Sequence, residues 1–247
     1  MPHLLQWLCQ FALPSLAAVV VTYLVLRLTQ HRALNEEKIE LNVPKPKLSR
    51  EGKLTAIGIG AIGIVLLGAS ALDVQLGLPT FICGAVTAAA VLVLSRQSPW
   101  PVLKDISWGV LPLVAGLFAM VEALNRTGAI ARLSEMLHHG VAQSAARTAW
   151  SVGIATAIAD NIANNLPVGL VAGSVAASDH LPTSIVGAIL IGVDLGPNLS
   201  VTGSLATILW LVALRREELH VSAWRFLQLG LLVTPPALLV ALAAAIW

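Results

Sequence analysis

Charge is what this sequence of 247 residues has least of. Lys and Arg number 15 and Asp and Glu 13, together 11% of the chain. A soluble chain carries roughly 25% charged residues, and a globular surface cannot be covered with so few. That excludes an ordinary soluble domain. A net charge of +2, with no basic-aromatic cluster, points away from nucleic acid. Cysteine is nearly absent. Cys9 and Cys83 lie in separate apolar runs, so no disulfide framework is implied. No GxxxxGKS/T run occurs either, so ATP coupling would need a separate protein. What the chain has in quantity is apolar: 57% hydrophobic residues, arranged in long runs. Membrane lipid is the solvent for most of it.

The pattern predicts an all-α polytopic membrane protein. Residues 1–28 read as one spanning helix, interrupted only by Pro14 and too long for a signal peptide. Residues 29–53, with mixed charges and a Pro-Lys-Pro-Lys step, read as a solvated linker. Residues 54–125 hold three scaffold helices, with Gly58, Gly60, Gly63 and Gly68 suited to close packing in lipid. In 126–145, Ile130, Leu133, Met136 and Leu137 recur at helical spacing opposite Arg132, Glu135 and His139. That is the pattern of an amphipathic helix lying in the interface. Residues 146–214 form the interrupted core, and 215–247 a loop and a last span. Trp100, Trp108, Trp150, Trp224 and Trp247 fall near span ends.

Lys and Arg set the orientation. Arg32, Lys38, Lys45, Lys47, Arg50 and Lys53 place the linker in the cytoplasm. Alternate crossings then put 73–77 outside, the loop with Arg96 and Lys104 inside, and the amphipathic helix outside, against which Arg126, Arg132 and Arg147 count. Residue 1 comes out on the outer side, which suggests that something precedes it.

Two interruptions carry the chemistry. DNIANNLP, 160–167, splits the region 146–178 into short arms around a polar tip, the pattern of a re-entrant hairpin. DLGPNLSVTGS, 194–204, splits 182–214 into half-length arms, the pattern of a discontinuous helix. Paired breaks near the bilayer midplane mark a transporter binding site. Half-helix N-termini favour anions, and unwound carbonyls favour cations. Asn, Ser and Thr supply both donors and acceptors. The lining suits a small oxygen-rich solute, a proton or Na⁺.

The stretch GVDLGPNLSVTGSLATILWL, 192–211, resembles the signature of the arsenical pump membrane proteins, the arsenite efflux permeases. ADNIANNLPVGLVAG, 159–173, is similar to that family's hairpin tip and to the wider ion transporter superfamily. The resemblance covers nearly the whole chain but about the C-terminal half of a family member. It implies one of two inverted repeats, with a re-entrant helical hairpin and a discontinuous transmembrane helix. It also implies secondary active extrusion of arsenite, and of antimonite, across the cytoplasmic inner membrane. Implied partners are the missing N-terminal repeat or a second copy, and a soluble arsenite-stimulated ATPase. The coupling ion is a proton or Na⁺, with no other cofactor. Within the superfamily, a Na⁺/H⁺ antiporter or an organic-anion carrier is the competing reading, and an inactive fragment is another.

Each residue has two readings. Asp160 and Asp194 are coupling carboxylates, or they cap the hairpin tip and hold the unwound loop. Asn161, Asn164, Asn165 and Asn198 contact solute or ion, or they satisfy backbone groups freed by the breaks. Ser200, Thr202 and Ser204 line the cavity or bond back to helix carbonyls. Pro167, Gly196, Pro197 and Gly203 shape the breaks. Glu122 reads as an outer-face anchor. The cysteines read as packing groups and His138-His139 as an interfacial polar face, so no metal site is expected. An intramembrane aspartyl protease pairing Asp160 with Asp194 lacks its Gly-x-Gly-Asp context, since the run here is Gly192-Val193-Asp194.

Overall fold

The computed structural model describes residues 4–36, 48–96, 98–106, 108–178 and 181–246. Among these the chain is helical, with no strand. The order is α1 (Leu4–Glu36), α2 (Arg50–Ala71), α3 (Gly77–Ser95), α4 (Pro99–Asp105), α5 (Val110–Arg126), α6 (Ala129–Ala163), α7 (Asn165–Ser178) and α8 (Thr183–Leu195). Two 3₁₀ turns follow, Gly196–Leu199 and Val201–Gly203, and then α9 (Leu205–Arg216) and α10 (Ala223–Ile246). Helices α1, α2, α3 and α10 are each long and apolar enough to cross a membrane. Helices α5 and α6 meet at a 67° bend and pass the same test only as a pair. Gly128 makes that turn at φ +76°, a backbone conformation in which any side chain would be strained.

The helices fall into two units. The first holds α2, α3 and α4 with the opening turn of α1. Ser49 starts α2 by accepting the Gly52 N–H at 3.0 Å. Gly58 lets α2 lie against Thr87 of α3, whose side chain a Cβ would strike. Otherwise this unit buries almost nothing: Ala69 is the buried residue of α2, and α3 has none. The three scaffold helices expected over 54–125 therefore divide, because α5 belongs to the second unit.

That second unit holds the core. Ala149 and Ala157 of α6, Ile185, Ala188, Ile189 and Ile191 of α8, and Leu238, Ala241 and Leu242 of α10 form one buried cluster with Phe11 and Ala18 of α1. Helix α1 is anchored to the start of α8, where the Gln10 amide donates to the Thr183 carbonyl at 3.2 Å. Small residues set the spacing elsewhere. A Cβ at Gly192 would meet the Gly153 carbonyl at 2.5 Å, and one at Gly153 would meet Leu242 at 2.7 Å. Helices α6 and α8 so approach almost backbone to backbone, as is common in lipid.

Three boundaries differ from the sequence reading. Helix α1 continues past residue 28 to Glu36, so the expected linker is shorter; its residues 37–47 lie outside the described part. The amphipathic stretch is not a separate helix but the first half of α6, which loses helical geometry at Ser144 (φ −166°, ψ 107°). Ser144 caps the second half, accepting the Arg147 N–H at 3.3 Å on its hydroxyl. The third difference is the hairpin tip itself.

Candidate transport site

The tip is a single residue. Asp160 to Ala163 remain helical, and the chain reverses at Asn164 with φ 72° and ψ 149°. That region is nearly reserved for glycine and costs about 1–3 kcal/mol for other residues. Asn164 is held there by two bonds of its own amide. Its Oδ1 accepts the Leu166 N–H at 3.2 Å, capping α7, and its Nδ2 donates to the Thr202 carbonyl at 3.0 Å. Pro167 does not break a helix, contrary to its expected role. It sits in the first turn of α7, where its missing N–H would have had no partner anyway.

Across from the tip, the second break is shorter in extent than the sequence implied. Residues 196–203 keep two 3₁₀ turns, and only Ser200 and Ser204 are extended. Gly196 is required because a Cβ would overlap the Ala157 backbone, and Gly203 because one would meet the Pro197 carbonyl at 2.5 Å. Pro197, buried, opens the first turn.

Asn161 joins the two breaks. Its Nδ2 donates to the carbonyls of Ala157 and Gly196, both at 2.8 Å, and its Oδ1 accepts from the Ser200 hydroxyl at 2.6 Å. The Thr202 hydroxyl donates to the Asn161 carbonyl at 3.0 Å. Both amide protons of Asn161 and its oxygen are thus engaged within the fold. The same holds in large part for Asn164, Ser200 and Thr202. Ser204 caps α9 by accepting the Ala206 N–H at 3.2 Å. These residues stitch the hairpin to the broken helix rather than line a cavity.

Asn165 and Asn198 are left. Neither makes a side-chain hydrogen bond among the described residues; Asn165 is half-buried and Asn198 exposed. The two carboxylates also part company. Asp194 is exposed on the last turn of α8 and makes no hydrogen bond among the described residues, so it does not hold the unwound loop. Asp160 is completely buried, and neither of its oxygens has a hydrogen-bond partner among the described residues. It therefore caps nothing.

The remaining singled-out groups lie apart from the tip. Glu122 pairs with Arg126 at 2.8 Å on the exposed face of α5. Cys9 and Cys83 are free. No group of three or more potential metal ligands occurs among the described residues. A cavity of about 560 Å³ opens beside the Ser144 kink, lined by Met136, Thr148, Val152, Val171 and Ile189 among others, and none of the tip residues reaches it. Sequence reading passed over Thr234, buried in α10 with an unpartnered hydroxyl. Its Thr-Pro-Pro run in mid-span was the available signal.

A many-helix membrane protein whose core is a hairpin stitched to a broken helix is the class that this architecture defines. Residues 5–247 match the family model described as arsenical pump membrane protein, and the chain belongs to that family. It is similar to the arsenical pump membrane protein of Escherichia coli K12, 28% identical over 240 residues, which cover 93% of this chain and 56% of that one. The protein of the same name from Yersinia enterocolitica is 28% identical over 189 residues, 73% of this chain and 44% of the relative. An uncharacterized transporter of Mycobacterium tuberculosis is 29% identical over 192 residues, with 75% and 44% covered. The chain thus spans about half the length of the curated relatives it matches. No solved structure matches.

Proposed function

We propose that this chain is the carrier half of a secondary active transporter that extrudes arsenite, and antimonite, across the cytoplasmic membrane. The observation that carries this reading is the pair of unengaged amides, Asn165 and Asn198, flanking a junction whose other polar groups are consumed by the fold. Each offers donors and an acceptor to a small polyhydroxylated solute. Family membership supports the metalloid class. The hairpin and broken helix move as one body because their bonds tie them together, exposing the amides alternately to the two sides. Asp160 and Asp194 serve coupling to a proton or Na⁺. The remaining surface is completed by an N-terminal half or a second copy, and a soluble ATPase adds any nucleotide coupling.

The test is metalloid-dependent ion flux in everted vesicles, with the chain expressed alone and beside an N-terminal half from a longer relative. Asn165→Ala and Asn198→Ala should each abolish arsenite accumulation while leaving insertion and thermal stability within about 0.5 kcal/mol of wild type. Normal accumulation in both variants refutes the site. Flux driven by Na⁺ with no metalloid requirement would favour a Na⁺/H⁺ antiporter instead.

A further inference from the structure

The last part of α1 and the start of α10 border a cavity of about 480 Å³, lined by Gln30, Arg225, Gln228, Leu229, Leu231 and Leu232. Both stretches belong to the larger unit. Such a volume falls in the range of about 300–1,000 Å³ that holds small organic ligands. Polarity changes along its wall. Arg225 and Gln228 occupy the first turns of α10 and the leucines follow, with about 10 Å from Arg225 to Leu232 at 1.5 Å per residue. Leu231 and Leu232 are 53% and 52% exposed, on a helix long and apolar enough to cross a membrane. Trp224, also exposed, stands beside Arg225, and tryptophan near the end of a spanning helix marks headgroup depth. The cavity therefore runs from headgroup level into hydrocarbon.

Its polar end offers N–H donors and no negative charge. The Arg225 backbone N–H donates to the Ser222 hydroxyl at 3.1 Å, which fixes the start of α10. The Arg225 guanidinium has neither a hydrogen bond nor a carboxylate partner among the described residues, and the amides of Gln30 and Gln228 are likewise unengaged. No acidic residue lines the cavity. Arginine dominates the flanking sequence: Arg27 and Arg32 in α1, and Arg215 and Arg216 closing α9, against Glu36, Glu217 and Glu218. Arg27 is committed to the Tyr23 hydroxyl at 3.3 Å, so Arg225 is the cation that the cavity itself presents.

We propose that this cavity binds one anionic phospholipid, its phosphate held by Arg225 with Gln30 and Gln228 and an acyl chain lying along Leu229, Leu231 and Leu232. A phosphate carries several acceptor oxygens around one centre, which a guanidinium fork with flanking amides matches. Net charge then selects the headgroup. The ammonium of a choline or ethanolamine lipid finds no carboxylate in the lining, whereas a net negative headgroup neutralises Arg225 and leaves no charge over. A protein segment fits this gradient less well, since it would have to bring its own anion to headgroup depth and an apolar face immediately below. The Lys and Arg distribution assigns this end of α1 to the cytoplasm, where basic pockets between spanning helices meet anionic headgroups. The lipid bridges α1 to α10 at an end where no hydrogen bond joins the two helices among the described residues.

Native mass spectrometry of the purified chain in a neutral detergent tests this without any metalloid. The chain is titrated with phosphatidylglycerol and, separately, with phosphatidylcholine of the same acyl chains. One phosphatidylglycerol should bind saturably, about fivefold more tightly than phosphatidylcholine, the factor that one basic side chain contributes at a headgroup. Arg225→Gln should erase that preference, and Arg225→Lys, which keeps the charge, should retain it. Arg215→Gln, a charge removed from the same end of the unit but outside the cavity, should leave it unchanged. Leu232→Trp, which fills the apolar wall, should weaken both lipids by a similar factor; if that variant does not fold, Leu232→Phe carries the same expectation. Equal affinity for the two lipids, or a loss with Arg215→Gln as large as with Arg225→Gln, overturns the proposal. So does exclusion of the lipid by a co-purified N-terminal half from a longer relative, which would make that half the occupant.

Discussion

Asp160 and Asn161 are neighbours in sequence, and the fold treats them in opposite ways. Asn161 turns toward the broken helix, bonding the Gly196 carbonyl and the Ser200 hydroxyl as well as the Ala157 carbonyl of its own helix. Asp160 turns into the interior, completely buried, and meets no donor among the described residues. Polar groups in lipid are normally paired, so the tip network needs no function beyond holding two breaks together. The unpaired carboxylate cannot be explained that way. The difference separates a residue consumed by the fold from one left unpaired by it, a separation invisible in a list of intramembrane polar side chains.

That contrast can be broken most severely at Gly203. Gly203→Val drives a branched side chain into Pro197 and the Asn161 oxygen, and should destabilise by about 3 kcal/mol or more, read as a large drop in the thermal midpoint in detergent. Asn161→Ala is next. It removes three side-chain bonds, and at about 0.6 kcal/mol for each bond within lipid the loss should be about 2 kcal/mol by denaturant titration. Substitutions at Asn164 sharpen the picture, since its bonds and its backbone pull in different directions. Asn164→Gly should be more stable than Asn164→Ala by about 1 kcal/mol, because glycine removes the strain that alanine keeps. The smallest effect belongs to Glu122→Gln. It breaks an exposed i,i+4 pair worth about 0.5 kcal/mol or less, and unfolding curves should superimpose on wild type at high salt.

Much of this organisation was legible beforehand because lipid imposes simple rules. Long apolar runs announced α2, α3 and α10, and the polar breaks announced both the hairpin and the discontinuous helix. What could not be read was the pairing within the breaks. Asn161, Asn165 and Asn198 are chemically identical, and only the tertiary fold decides that the first is saturated while the others are not. Asp194 looked as deep as Asp160 because depth along a helix was visible and the face was not. Pro167 misled for a related reason: proline interrupts a helix or begins one, and position relative to Asn164 chooses between them. Thr234 escaped because a single hydroxyl hardly disturbs a strongly apolar span.

The joint at Ser144 has a mechanical consequence. Beyond it, α6 continues to Ala163 without further interruption, a rigid lever about 28 Å long at 1.5 Å per residue. A change of about 10° in the backbone at Ser144 would sweep the far end of that lever through about 5 Å, a distance comparable to one helical turn. A small torsion at one serine would thereby be geared up into the displacement of the whole tip.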